Sequence, residues 1–91
     1  GNTPTSISDQ TKVAYSNVQG VLAQFEAGMS NIVDDTFFVT DMDELMDNVV
    51  DVYGAREKAY GGCPEVSQTV VQVTGLVFPE MKIEKKCIAH I

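Results

Sequence analysis

Asn31-Ile32-Val33-Asp34-Asp35-Thr36-Phe37-Phe38-Val39-Thr40-Asp41-Met42 is the stretch on which the fold turns. Thr36 to Val39 is a β-branched and aromatic run too short for a helix, so residues 32–40 read as a strand. Its near-continuous apolar character predicts a strand covered on both faces. A helix start follows at once. Asp41 can accept from the free amides of a first turn, and Glu44, three residues on, is placed to reach back and close a capping box. Asp43, Asp47 and Asp51 then recur every four residues on the outer face. Leu45, Val49, Val52 and Tyr53 form the inner one. Gly61-Gly62 ends this helix, and Pro64 prevents its resumption.

Upstream, residues 1–8 form a polar leader, and Ser8 or Asp9 can cap a first helix over residues 9–27. Val13, Val18, Val21, Leu22 and Phe25 make its apolar stripe, and Gly28 offers a stop. Downstream, residues 67–74 (SQTVVQVT) are a strand by propensity. A turn containing Pro79 leads to a last strand over residues 81–91. Met81, Ile83, Lys85, Cys87 and Ala89 share one of its faces; Lys82, Glu84, Lys86, Ile88 and His90 share the other. The order helix, strand, helix, strand, strand predicts a mixed α/β (α+β) fold with a right-handed crossover and helices on one sheet face. The other face needs a partner subunit or water.

The chain has 91 residues, enough for one domain, 1–91, and too few for two. Its net charge is −7, and the acidic residues crowd between Asp9 and Glu57. Such a surface repels polyanions and makes nucleic acid an improbable partner. Lys82, Lys85 and Lys86 are the only local cationic excess, and on a short strand they read as a solvated edge. No apolar run is long enough for a membrane span, and no signal peptide is expected. Two cysteines, Cys63 and Cys87, do not make a disulfide framework. Free thiols point to a cytoplasmic location.

One histidine and two distant cysteines supply no metal-ligand cluster, so neither metal nor cofactor is expected. The acidic helix face lacks the glycine and distal glutamate of a calcium loop. Gly61-Gly62 lies in no phosphate-loop pattern. Cys63 has no base or cation nearby in sequence to hold a thiolate, and His90 reads as a terminal surface residue. Glu84, between Lys82 and Lys86, reads first as a member of a cross-strand ion pair.

Residues 31–42 resemble the "D-I-V-K-T-T-V-F-V-x-D-L" segment of the reactive intermediate deaminase family, also called YjgF-like or endoribonuclease L-PSP. The likeness continues to Tyr53, where that family has a recurrent "V-N-x-x-Y". It includes Asn17-Val18 and Ala27-Gly28 around the first helix. Near the end, Val71-Gln72-Val73 and the run Lys82 to Ala89 resemble "V-x-V" and "V-E-I-E-x-I-A". The resemblance spans roughly residues 9–89. It implies a chorismate-mutase-like fold, a homotrimer with small-molecule clefts between subunits, and metal-independent hydrolysis of enamines and imines that releases ammonia. It also implies an arginine before the "S-x-V-x-V" strand that holds a substrate carboxylate, and a last-strand glutamate that positions water.

Glu84 falls on that glutamate. The arginine's position holds Gln68, since no Arg or Lys occurs between Lys58 and Lys82. Glutamine offers neither the charge nor the bidentate fork. Val50 replaces the asparagine that precedes Tyr53, and the strand pair that normally precedes the first helix is lacking. The expectation is therefore a small-molecule-binding trimer with Gln68, Val50 and Tyr53 at the ligand, Glu84 as the one catalytic residue, and weakened family chemistry. An imine deaminase is the alternative. The ribonuclease or translation-inhibitor activity reported for some members ranks third on charge.

Overall fold

A computed structural model describes residues 5–62 and 64–91. The first four residues of the leader and Cys63 lie outside the described residues. Helix α1 (Ile7–Ala23) is followed by a single 3-10 turn (Met29–Asn31) and strand β1 (Ile32–Val39). Helices α2 (Met42–Asp47) and α3 (Val49–Tyr60) cross to strand β2 (Ser67–Gln72), and strand β3 (Ile83–Ala89) closes the order. The sheet runs β2-β1-β3. β1 pairs parallel with β2, with Asp35 opposite Gln68 and Phe37 opposite Val70. It pairs antiparallel with β3, with Asp35 opposite Cys87 and Phe37 opposite Lys85. α2 and α3 thus form a crossover between two parallel neighbours.

Both helical layers lie on one face of the sheet. There Ile7, Tyr15, Phe37, Val39, Leu45, Val52 and Ile83 form the core. β1 alternates accordingly: Asp35, Phe37 and Val39 are buried, while Asp34, Thr36 and Phe38 are half-buried on the open face. The strand was expected to be covered on both faces. In the single chain only the face turned to the helices is covered, because α1, α2 and α3 all return to the same side.

The cap of α1 is Ser6, whose Oγ accepts from Asp9 N at 3.1 Å, rather than Ser8 or Asp9. The helix ends at Ala23 instead of running to residue 27, and Gly28 is extended at φ −139°, so it is not the stop. The buried face of α1 is Ile7, Gln10, Thr11, Tyr15 and Leu22. Of the expected stripe only Leu22 is buried; Val13, Val21 and Phe25 are 45%, 56% and 61% exposed. The helix carries two apolar flanks, and spacing alone could not tell which one meets the sheet.

The second helix divides at Asn48, whose φ of −118° and ψ of 18° interrupt the ladder between α2 and α3. Asp41 caps as expected, its Oδ1 accepting from Asp43 N at 3.0 Å and Glu44 N at 3.2 Å. Glu44 does not close the box: its carboxylate accepts from Lys82 Nζ at 2.6 Å. Leu45 and Val52 are buried on the inner face, and Asp43, Asp47 and Asp51 are exposed on the outer one. Gly61 ends α3 in the left-handed conformation at φ 77°, where an added Cβ would be strained. Among the described residues no helix is long and apolar enough to cross a membrane.

Candidate functional site

Strand alternation decides where each predicted residue points. In β3, Ile83 and Lys85 face the helices and Glu84 and Lys86 face away, as the alternating pattern predicts. Glu84 is exposed on the open face of the sheet, and among the described residues no ion pair involves it. The expected cross-strand ion pair is therefore not formed. In β2, Gln68 points the other way, under α3, where its Oε1 accepts from Tyr53 Oη at 2.7 Å. Its Nε2 is buried and has no partner, the only such side-chain atom among the described residues. Leaving a buried amide donor unpaired costs about 1–3 kcal/mol, so this group is poised to take an acceptor. Val50 is 82% exposed in the first turn of α3, one turn before Tyr53.

The structure thus joins Tyr53 to Gln68 and separates both from Glu84. β2 and β3 are the two edges of the sheet, with β1 between them. Gln68 and Glu84 lie on opposite edges and opposite faces. Within one chain they cannot meet on one ligand.

The most elaborate polar cluster was not foreseen. Asp35 is fully buried on the inner face of β1. Its Oδ2 accepts from Tyr15 Oη at 2.7 Å and Tyr60 Oη at 3.0 Å, and Arg56 Nε lies 3.4 Å away. Its Oδ1 accepts from Lys85 Nζ at 2.7 Å, and Cys87 Sγ is 3.8 Å from the same oxygen. The Lys85 amine also sits 3.5 Å from the centre of the Phe37 ring and 3.8 Å from that of Tyr15. Burial acts to raise the Asp35 carboxyl. The bonded Lys85 ammonium outweighs burial and, with both tyrosine hydroxyls, holds the group below its ordinary 3.8. Burial and then the Asp35 charge push both tyrosines upward. Burial, followed by Asp35, raises the Cys87 thiol to about 11. Such a thiol is mostly protonated at neutral pH and a poor nucleophile.

One reading is corrected here. Lys82, Lys85 and Lys86 are not one solvated edge: Lys82 pairs with Glu44, and the Lys85 side chain is 1% exposed. The sequence did hold a signal for the cluster. Asp35 shares parity with Phe37 and Val39, and Lys85 shares parity with Ile83, so opposite charges stood on two inward faces.

A groove of about 860 Å³ runs between α1 and β3. Val13, Val18, Val21 and Phe25 line one wall, and Ile83, Cys87 and Ala89 the other.

The profile of a family described as endoribonuclease L-PSP matches residues 1–91. No curated protein matches the sequence. Among solved structures, a member of the YjgF/YER057c/UK114 family from Mycobacterium tuberculosis superposes with a TM-score of 0.83 at 23% identity, covering 99% of this chain and 72% of that one. E. coli TdcF, solved with bound serine, gives 0.80 at 24% identity, covering 98% and 68%. A protein described as a translation initiation inhibitor from Vibrio vulnificus gives 0.81 at 27% identity, covering 98% and 68%. The fold is the chorismate-mutase-like α/β fold expected from the sequence. The chain spans about two thirds of the length of the structures it resembles, from 57% in one Pseudomonas aeruginosa protein to 75% in one from Salmonella typhimurium.

Proposed function

The chain belongs to the endoribonuclease L-PSP (YjgF-like) family, and from that premise we propose that it binds a small molecule in clefts between three copies in the cytoplasm, with little of the family's imine-hydrolysing activity. The observation that carries this reading is the state of Gln68. It stands where the family places its carboxylate-binding arginine, its carbonyl is engaged by Tyr53, and its buried amide donor is unpartnered. A neutral donor suits a carbonyl or hydroxyl acceptor. A carboxylate held by one neutral amide loses the charge-assisted fork, a cost of about 1.5–3 kcal/mol. That corresponds to roughly a ten- to 150-fold slower reaction when the contact acts in the transition state. The opposed placement of Gln68 and Glu84 supports a cleft assembled from two subunits, and the open sheet face supports a partner there.

A second reading is an imine deaminase that releases ammonia, with Glu84 positioning the water. It is favoured by the exposure of Glu84 and by the serine bound to E. coli TdcF. The deciding experiment is hydrolysis of freshly generated 2-aminoacrylate by the unmodified chain, Gln68→Arg and Glu84→Ala, beside calorimetric titration with serine and serine amide. The ligand-binding reading expects a slow unmodified chain, a gain in Gln68→Arg that Glu84→Ala removes, and tighter binding of the amide. An unmodified chain as fast as an arginine-containing family member overturns it.

A further inference from the structure

We propose that Arg56 is the positioning residue for Gln68: by occupying Asp35 and tying the Val66 carbonyl to it, Arg56 keeps the amide donor of Gln68 free for a ligand. The proposal deepens the ligand-binding reading and rests on it.

Asp35 has more cations beside it than its charge requires. Lys85 Nζ already neutralises it at 2.7 Å, with the Tyr15 and Tyr60 hydroxyls as further donors. Arg56, only 8% exposed, is a second cation on the same carboxylate, its Nε 3.4 Å from Oδ2. Burying a second cation beside one anion is unfavourable, so neutralisation alone does not account for Arg56. Its other contact lies on the far side of α3. Arg56 Nη2 donates to Val66 O at 3.3 Å, immediately before β2 begins. Tyr53, one turn earlier on α3, donates to the Gln68 carbonyl at 2.7 Å. Among the described residues, these are the two hydrogen bonds that join α3 to this segment. Val66 stands two residues before Gln68, so anchoring its carbonyl fixes the backbone from which the Gln68 side chain departs.

The strand register adds the second half of the role. Asp35 and Gln68 are direct partners on adjacent parallel strands, and both side chains lie under α3. A carboxylate is a stronger acceptor for an amide donor than a neutral carbonyl is. Yet Nε2 of Gln68 is buried and has no partner. Asp35 is not open to it, because both of its oxygens are taken. Tyr15, Tyr60 and Arg56 fill Oδ2; Lys85 and Cys87 fill Oδ1. Of these five groups only Arg56 also holds the segment that leads into β2. It therefore closes the carboxylate to Gln68 and fixes the strand that carries Gln68 in one contact set.

The test pairs nuclear magnetic resonance of the Gln68 side-chain amide, identified by its loss in Gln68→Leu, with calorimetric titration of serine amide. In Arg56→Met the freed Oδ2 should capture the amide and move one of its proton signals downfield. Serine amide should then bind about two- to tenfold more weakly, the loss of one neutral hydrogen bond. Added to Gln68→Leu, Arg56→Met should change the affinity no further, because no amide remains to be diverted. A residue that only supports the fold would weaken binding in both backgrounds, and that result overturns the proposal. A Gln68 amide signal that stays in place in Arg56→Met overturns it as well. Arg56→Lys serves where Arg56→Met fails to fold. Its ammonium keeps the charge beside Asp35 but lacks the fork that also reaches Val66, so the Gln68 signal should move part of the way in the same direction. An unmoved signal in that variant is equally fatal. If the amide signal moves while serine amide binds neither the variants nor the unmodified chain, the ligand-binding reading fails and the hold of Arg56 on Gln68 stands.

Discussion

Lys85 Nζ and Asp35 Oδ1 are 2.7 Å apart, with side chains 1% and 0% exposed, and they join the last strand to the centre of the first. Removing two charges from water costs several kcal/mol per ion, and close pairing with further hydrogen bonds has to offset this. Tyr15 and Tyr60 supply those bonds from α1 and α3. The cluster thereby fixes both helices to the sheet through one carboxylate.

Lys85→Met should destabilise the chain by about 3–5 kcal/mol, because it leaves Asp35 charged and buried with Arg56 at 3.4 Å as its nearest cation. Urea denaturation measures this. The double change Lys85→Met with Asp35→Leu should cost clearly less than the sum of the two single changes. Additive costs would mean that the pair is not coupled.

The acid limb of stability should depend on Asp35. Its folded value lies below the unfolded 3.8, so its contribution is fully present above that pH and is lost as pH falls through the folded value. Thermal melts between about pH 2 and pH 7 should fall steeply below about pH 4 in the unmodified chain. Asp35→Asn should be less stable at neutral pH and show a shallower acid limb. Parallel limbs in the two proteins would contradict the assignment.

Cys87 should resist alkylation at neutral pH, since its thiol is raised to about 11. In a Cys63→Ser variant, the reaction with iodoacetamide at about pH 8 should run roughly two orders of magnitude slower than for an ordinary thiol. Unfolding in urea should abolish the difference. Rapid labelling of the folded protein would show that the thiol is open to solvent and ionised.

Asp41→Ala should cost about 1 kcal/mol through loss of the α2 cap. Glu44→Gln should cost less, between about 0 and 1 kcal/mol, because its partner Lys82 is partly solvated. A larger loss for Glu44→Gln in the same denaturation assay would point to the reciprocal box expected from the sequence rather than to the Lys82 pair.

Element types and their order were legible in the sequence because each rests on local chemistry. A β-branched run makes a strand, an aspartate caps a helix, and Gly61 ends one. Alternation in β3 likewise placed Ile83 and Lys85 on one face and Glu84 on the other. Partners were not legible, because spacing measures direction along one element and not distance to another. Val13, Val21 and Phe25 have helical spacing as good as that of Ile7, Thr11 and Tyr15, and only the packing of α1 on β3 and α3 chose between them. Glu44 had a local partner and took a distant one in Lys82. Asp35 and Lys85, 50 residues apart, became a buried pair because the antiparallel β1–β3 register set them on neighbouring strands under the same helices. The identity of Gln68 is a fact of sequence; its unpartnered amide, and its separation from Glu84 by a whole sheet, are decided by the tertiary structure alone.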